Sequence, residues 1–140
     1  MAPFQSSAAR VPPQGEAPAA FETIITPENE TFLWRVDDYP NAVSKWNYHP
    51  ECEIHLTRNS FGTMFVGDYI GKFEPGNLVL VGSGLPHDWV SQLEPGERIV
   101  SRDVVLQFHP SRISAAAKFL PELDRKSTRL NSSHVSESRM

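Results

Sequence analysis

Cysteine is almost absent: Cys52 stands alone in 140 residues, which excludes an internal disulfide and points to a reducing, cytoplasmic compartment. Long apolar runs are missing too. No stretch approaches the roughly 20 residues of a membrane span, and the first twenty residues lack the charged start and apolar centre of a signal peptide, so no membrane partner is expected. Positive charge is scarce in the body of the chain. The net charge is −4, and Arg125, Lys126, Arg129 and Arg139 against Glu137 put +3 on the last sixteen residues, which leaves −7 on residues 1–124. So acidic a body is a poor match for phosphate backbones, and no DNA binding is expected of this polypeptide alone. There is also no GxSxG elbow, no phosphate-binding glycine loop and no HExxH pair, which removes support for hydrolase, nucleotide-dependent and zincin chemistry. Cys52 lies among apolar neighbours and reads as buried rather than nucleophilic. No catalytic residue is assigned, and the chain reads as a non-enzyme.

What is present fits one domain. Residues 1–22, rich in Pro, Ala, Ser and Gln without either hydrophobic period, read as a disordered arm, and residues 23–123 as the folded domain. Within the domain, short apolar stretches recur every eight to twelve residues between turn signals such as Asn59-Ser60-Phe61-Gly62, Glu74-Pro75-Gly76 and Glu94-Pro95-Gly96. That pattern predicts an all-β antiparallel barrel or sandwich. In the strand at Phe32-Leu33-Trp34-Arg35-Val36, residues Phe32, Trp34 and Val36 share one face, and core packing is the expected place for Trp34, Trp46 and Trp89. One helix is expected after His109-Pro110, capped by Ser111 and running through Ile113, Ala117 and Leu120. Residues 124–140 change composition abruptly to a basic, serine-rich stretch that reads as a disordered, non-native tail. It resembles translated sequencing-adapter DNA, which would put the end of the natural product near Leu123.

The chemistry gathers between Asn47 and Leu56. The odd positions from Asn47 to His55 are all polar and the even positions Cys52, Ile54 and Leu56 apolar, so Asn47, His49, Glu53 and His55 share one strand face if Pro50 leaves the register intact. Some thirty residues on, Leu85-Pro86-His87-Asp88-Trp89 follows a glycine-containing turn. Imidazoles and carboxylates of the kind these segments carry are the donors a divalent metal of the iron, manganese or zinc kind requires. The alternative is that His49 and His87 are hydrogen-bonded barrel residues, Glu53 a solvent-facing strand residue and His55 a pocket-lining or structural one.

These two segments resemble the paired motifs of the cupin superfamily. Asn47-Tyr48-His49 followed by Glu53 matches the first motif with its leading histidine replaced by asparagine, and Gly76 through Gly82-Ser83-Gly84-Leu85-Pro86-His87 matches the second. The surrounding wording is more specific. His49-Pro50-Glu51-Cys52-Glu53-Ile54, Phe65-Val66-Gly67-Asp68, Phe73-Glu74-Pro75-Gly76-Asn77-Leu78 and Leu120-Pro121-Glu122-Leu123 resemble the N-terminal sensor half of AraC-type transcriptional regulators, over about residues 30–123. The resemblance implies a double-stranded β-helix (jelly-roll) barrel with a C-terminal helix. It also implies an effector-sensing or dimerising role, truncated before the helix-turn-helix half that would bind DNA. The implied partners are a small organic effector, held by Asn47, His49, Glu53, His55, His87 and Trp89, and a second copy of the chain. A resident cofactor is not expected beyond a divalent metal on His49, Glu53 and His87. The competing expectation is a small single-domain metal-dependent cupin enzyme of dioxygenase or isomerase type.

Overall fold

A computed structural model describes residues 18–123 and the backbone of residues 135–139. The strands are β1 (Ala20–Phe21), β2 (Phe32–Tyr39), β3 (Asn47–Tyr48), β4 (Cys52–Thr57), β5 (Gly62–Val66), β6 (Tyr69–Phe73), β7 (Asn77–Val81), β8 (His87–Ser91), β9 (Ile99–Phe108) and β10 (Val135–Arg139), with helix α1 (Pro110–Ala116) after β9. They form two five-stranded sheets in the orders β1-β3-β8-β5-β6 and β10-β7-β4-β9-β2. Every pairing is antiparallel except β1 with β3. Strands β1 to β5 and β6 to β9 alternate between the two sheets, with the β5–β6 hairpin kept in one of them, the jelly-roll arrangement expected of an all-β chain with this turn spacing. No helix among the described residues is long and apolar enough to cross a membrane.

The turn residues behave as their chemistry dictates. Gly67, Gly76 and Gly96 sit at positive φ in the connections after β5, β6 and β8, and Ser60 does the same before β5. Gly62 serves differently, by allowing close approach: a Cβ there would run into the Val90 carbonyl of the neighbouring β8. Gly62→Ala should therefore cost about 1–3 kcal/mol through forced separation of β5 and β8, measurable as a lower urea midpoint with unchanged slope.

One end of the space between the sheets is an ordinary apolar core. Met64, Val66 and Phe73 of the first sheet meet Val79 and Val81 of the second, and Trp89 closes the group. The other end is polar. Strand parity in the second sheet turns Glu53, His55 and Thr57 of β4 and Asp103, Val105 and Gln107 of β9 inward, all nearly inaccessible.

Several expectations change. Trp34 is 65% exposed rather than core. Its strand takes its parity from β9, where Leu33 pairs with Gln107 and Arg35 with Val105, so Phe32, Trp34 and Val36 point outward. Trp46 is half-buried and only Trp89 of the three tryptophans is buried. Pro50 does interrupt the strand, separating β3 from β4. The helix cap is His109, whose Nδ1 accepts from the Ser111 amide at 3.2 Å, with Pro110 at the first helical position; α1 ends at Ala116. The expected arm falls largely on residues outside the described ones, but Ala20–Phe21 pair with Asn47–Tyr48. Of the expected tail, residues 124–134 and 140 lie outside the described residues, and Val135–Arg139 form a strand along β7.

Candidate functional site

His49 lies just before β4, Glu53 is the second residue of β4, and His87 opens β8 in the facing sheet. All three are buried. Their placement follows from pairing: Asn47 of β3 sits opposite His87 of β8, which brings the loop after β3 against the start of β8. Glu53 Oε1 lies 3.4 Å from His49 Nε2, and Glu53 Oε2 lies 3.6 Å from His87 Nε2. The imidazole rings meet edge to face with centroids 4.9 Å apart.

Both rings are held the same way. His49 Nδ1 faces the Glu51 carbonyl at 3.0 Å and His87 Nδ1 faces the Leu85 carbonyl at 2.8 Å. A carbonyl only accepts, so each Nδ1 carries a hydrogen, which leaves each Nε2 facing Glu53, able to donate to it when protonated and to ligate a metal when neutral. This is the way metal-ligating histidines are oriented by a partner on the far nitrogen. One donor atom from each of the three residues lies within 4.8 Å of the other two. A first-row metal with bonds near 2.0–2.2 Å keeps adjacent ligands about 3.0–3.5 Å apart, close to the two measured separations. His49 Nε2, moreover, is buried without a hydrogen-bond partner. The donor set therefore fits a divalent metal.

The electrostatics are those of a coupled cluster. Burial opposes charge on Glu53, but His87, His49 and His55 outweigh it and hold the carboxyl far below its usual range. Burial also opposes charge on His49, yet the carboxylates of Glu53, Glu22 and Glu51 leave its pKa above the ordinary value. His87 goes the other way: burial dominates, the attraction of Glu53 offsets it only in part, and its pKa is lowered.

A chain of hydrogen bonds supports Glu53 from behind. Gln107 Nε2 donates to Glu53 Oε1 at 2.8 Å, and Arg35 donates to Gln107 Oε1 at 3.0 Å while also gripping Asp37 at 2.8 Å. Glu22, just past β1, lies 3.9 Å from Arg35 and accepts from Asn47 Nδ2 at 3.0 Å. Asn47 also donates to the Val43 carbonyl at 3.3 Å, so its amide nitrogen braces the loop over the site and is not a ligand.

Beside this cluster His55 stacks on Trp89, with centroids 3.7 Å apart and planes 9° from parallel, and its Nε2 lies 3.4 Å from Asp103 Oδ1. Asp103 in turn receives two bonds of 2.8 Å from Arg102, whose remaining terminal nitrogen donates to the Trp89 carbonyl and Ser91 Oγ. Glu53, His55, His87, Trp89, Asp103 and Arg35 border a cavity of about 50 Å³, which Glu22, Asn41, Val43, Ser44 and Lys45 also line. That is room for roughly three to five water-sized groups, far below a drug-sized pocket.

The structure brings His49, Glu53 and His87 to one point, sets His55 and Trp89 beside them and keeps Asn47 at the rim. Sequence reasoning missed Glu22, Arg35, Arg102, Asp103 and Gln107. For Asp103 and Gln107 a signal existed, since both share strand parity with Val105, but nothing in sequence said which face of β9 is inward.

Fold and site together define a jelly-roll barrel with a buried cluster of histidines and carboxylates at one end of its interior. No known family model matches the chain, and no curated protein matches it. Among solved structures it is similar to the crystal structure of unsaturated fatty acid bound wild-type ToxT from Vibrio cholerae, with 12% identity and a TM-score of 0.43, covering 67% of this chain and 35% of that one. The chain thus spans about a third of the ToxT chain. A likeness at that level carries no argument about ligand or activity.

Proposed function

We propose that this chain is the effector-sensing, cupin-type domain of an AraC-type transcriptional regulator, acting in the cytoplasm. Its effector is a polar molecule of a few non-hydrogen atoms held beside His49, Glu53 and His87. The observation that carries this reading is the polar interior. A domain of this size gains stability from apolar burial, yet one end of its barrel encloses Glu53, His55, His87 and Asp103 around a small cavity. Such groups cost stability when dry and are expected where a ligand completes their bonding. The regulatory assignment rests on the motif resemblance across residues 30–123. α1 spans seven residues, too short by itself to supply a helix-turn-helix reader.

His49, Glu53 and His87 are suited to hold a divalent metal, which when bound would offer a Lewis-acidic point for an oxygen or nitrogen of the effector. The rest is the work of the chain's own groups. The backbone carbonyls of Glu51 and Leu85 fix the two imidazoles, and Gln107 orients Glu53. The same three ligands favour a second reading, a metal-dependent cupin enzyme.

One experiment tests both. Thermal unfolding of the zinc-loaded chain is measured with amino acids, hydroxy acids and polyols of two to four carbons, and each stabilising compound is then recovered. A true effector present at about 100 times its Kd should add about 2.7 kcal/mol of stability and be recovered unchanged. Stabilisation only by long apolar compounds would sink the small-effector reading, and chemical conversion of the compound would establish the enzyme.

A further inference from the structure

Two polar side chains in the wall of the interior cavity are left unanswered. His55 and Trp89 both line it, at 3% and 4% exposure, with their rings stacked 3.7 Å apart. His55 Nδ1 and Trp89 Nε1 are buried, and neither has a hydrogen-bond partner among the described residues. Their chemistry is opposite. An indole nitrogen only donates. His55 Nε2 lies 3.4 Å from Asp103 Oδ1, a carboxylate oxygen that only accepts and so keeps a hydrogen on that nitrogen; in the neutral ring this leaves Nδ1 as an acceptor. Two stacked neighbours thus hold one orphaned donor and one orphaned acceptor, each costly to leave unmet.

Charge narrows what can meet them. Arg35 is paired with Asp37 and Arg102 with Asp103, each at 2.8 Å. Of the other charged groups lining the cavity, Glu22, Glu53 and Asp88 stand against Lys45. A divalent metal on His49, Glu53 and His87 would bring that sum to zero, and Glu51, whose Oε2 lies 3.7 Å from His49 Nδ1, adds a further negative charge close by. A carboxylate on the effector would therefore enter a site with no positive excess to hold it, and it has no hydrogen for His55 Nδ1. An ammonium has donors only and leaves Trp89 Nε1 unmet. An alcohol hydroxyl is uncharged, and its single oxygen both donates and accepts.

We propose that the effector is a short uncharged polyol, a vicinal diol or triol of two or three carbons, one hydroxyl of which is read jointly by Trp89 Nε1 and His55 Nδ1. This inference rests on the small-effector reading given above and names the chemical class that it leaves open. The cavity of about 50 Å³ suits a molecule of about four to six non-hydrogen atoms. Asp103 acts as a positioning residue, since it decides which nitrogen of His55 accepts.

Ligand-observed NMR titration of the zinc-loaded full chain at pH 8 tests it with three probes on one carbon skeleton: 1,2-propanediol, lactate and 1-amino-2-propanol. The diol should bind one equivalent, no tighter than about micromolar for so few atoms, and at least about 10-fold more tightly than the other two. Trp89→Phe keeps an aromatic ring and removes the N–H; it should weaken the diol by about 5–10-fold and leave zinc binding unchanged. His55→Phe keeps the stacked ring without Nδ1 and should lose as much, which decides the matter if Trp89→Phe does not fold. Because one hydroxyl serves both, the double variant should lose little more than either alone. Tighter binding of lactate or the amino alcohol overturns the uncharged class while leaving the small-effector reading in place. Diol binding that survives both substitutions in folded variants overturns the joint recognition. Binding of none of the three, with water alone at the orphaned pair, sinks the small-effector reading and this inference together.

Discussion

Asp103→Ala is expected to lower folding stability by about 3–5 kcal/mol, enough to remove a large part of the 5–15 kcal/mol that a domain of this size possesses. Arg102 and Asp103 are adjacent on β9, with side chains only 5% and 4% accessible, and two bonds of 2.8 Å join them. The guanidinium is fully engaged: it also donates to the Trp89 carbonyl and Ser91 Oγ and lies 3.9 Å above the Tyr39 ring. Removing the carboxylate leaves a buried cation without its counter-ion and His55 Nε2 without its neighbour. The cost is the penalty of an uncompensated charge, larger than the net worth of the pair itself. Urea unfolding measures it, and a loss under about 1 kcal/mol would show that water reaches the pair. Replacing both residues with leucine should restore most of the loss, because the orphaned charge then disappears too.

The pH dependence has a definite sign. Burial works to raise the Asp103 pKa, but His55 and Arg102 outweigh it and hold the carboxyl below its ordinary 3.8. A group whose folded pKa is depressed contributes stability that is complete above the unfolded value and is lost as pH falls through the folded one. The contribution of Asp103 should therefore be constant at neutral pH, begin to fall as the pH drops toward 3.8, and disappear only below the depressed folded value. In Asp103→Asn that part of the acid-unfolding limb should be missing.

His87→Ala should weaken divalent metal binding by more than about 100-fold. Disturbing only the residue that orients a metal-bound histidine costs 10–100-fold, and this change removes a ligand outright. It should be read by dialysing wild type and variant against zinc and measuring bound metal per chain, with one equivalent expected for the wild type alone. Affinity should rise with pH through neutrality, because the Glu53, Glu22 and Glu51 carboxylates hold the His49 pKa above its ordinary value and a metal must displace that proton. A wild type without stoichiometric metal would reduce the cluster to a hydrogen-bonded group. Equal retention by the variant would place any metal elsewhere.

Much of the site was legible because strand parity is a local rule. Once Glu53 and His55 are placed on one face of a strand, two-residue periodicity keeps them together. Turn chemistry at Gly76 and Gly96 was legible for the same reason, since positive φ is a property of one residue. The supporting shell was not. Arg35, Gln107 and Asp103 reach the site through antiparallel pairings of β4 and β2 with β9, contacts 46 to 76 residues apart in sequence that no local pattern encodes.

The amino-acid sequence by itself determined the class of fold and the turns, through spacing and backbone preference, and it offered the His49, Glu53 and His87 set through the resemblance of its two motifs. Only the tertiary structure decided which face of each strand is inside. That choice depends on which sheet packs against which, and here it reversed the hydrophobic expectation. The polar faces of β4 and β9 close around the cavity, while the apolar face of β2 carries Trp34 to the surface.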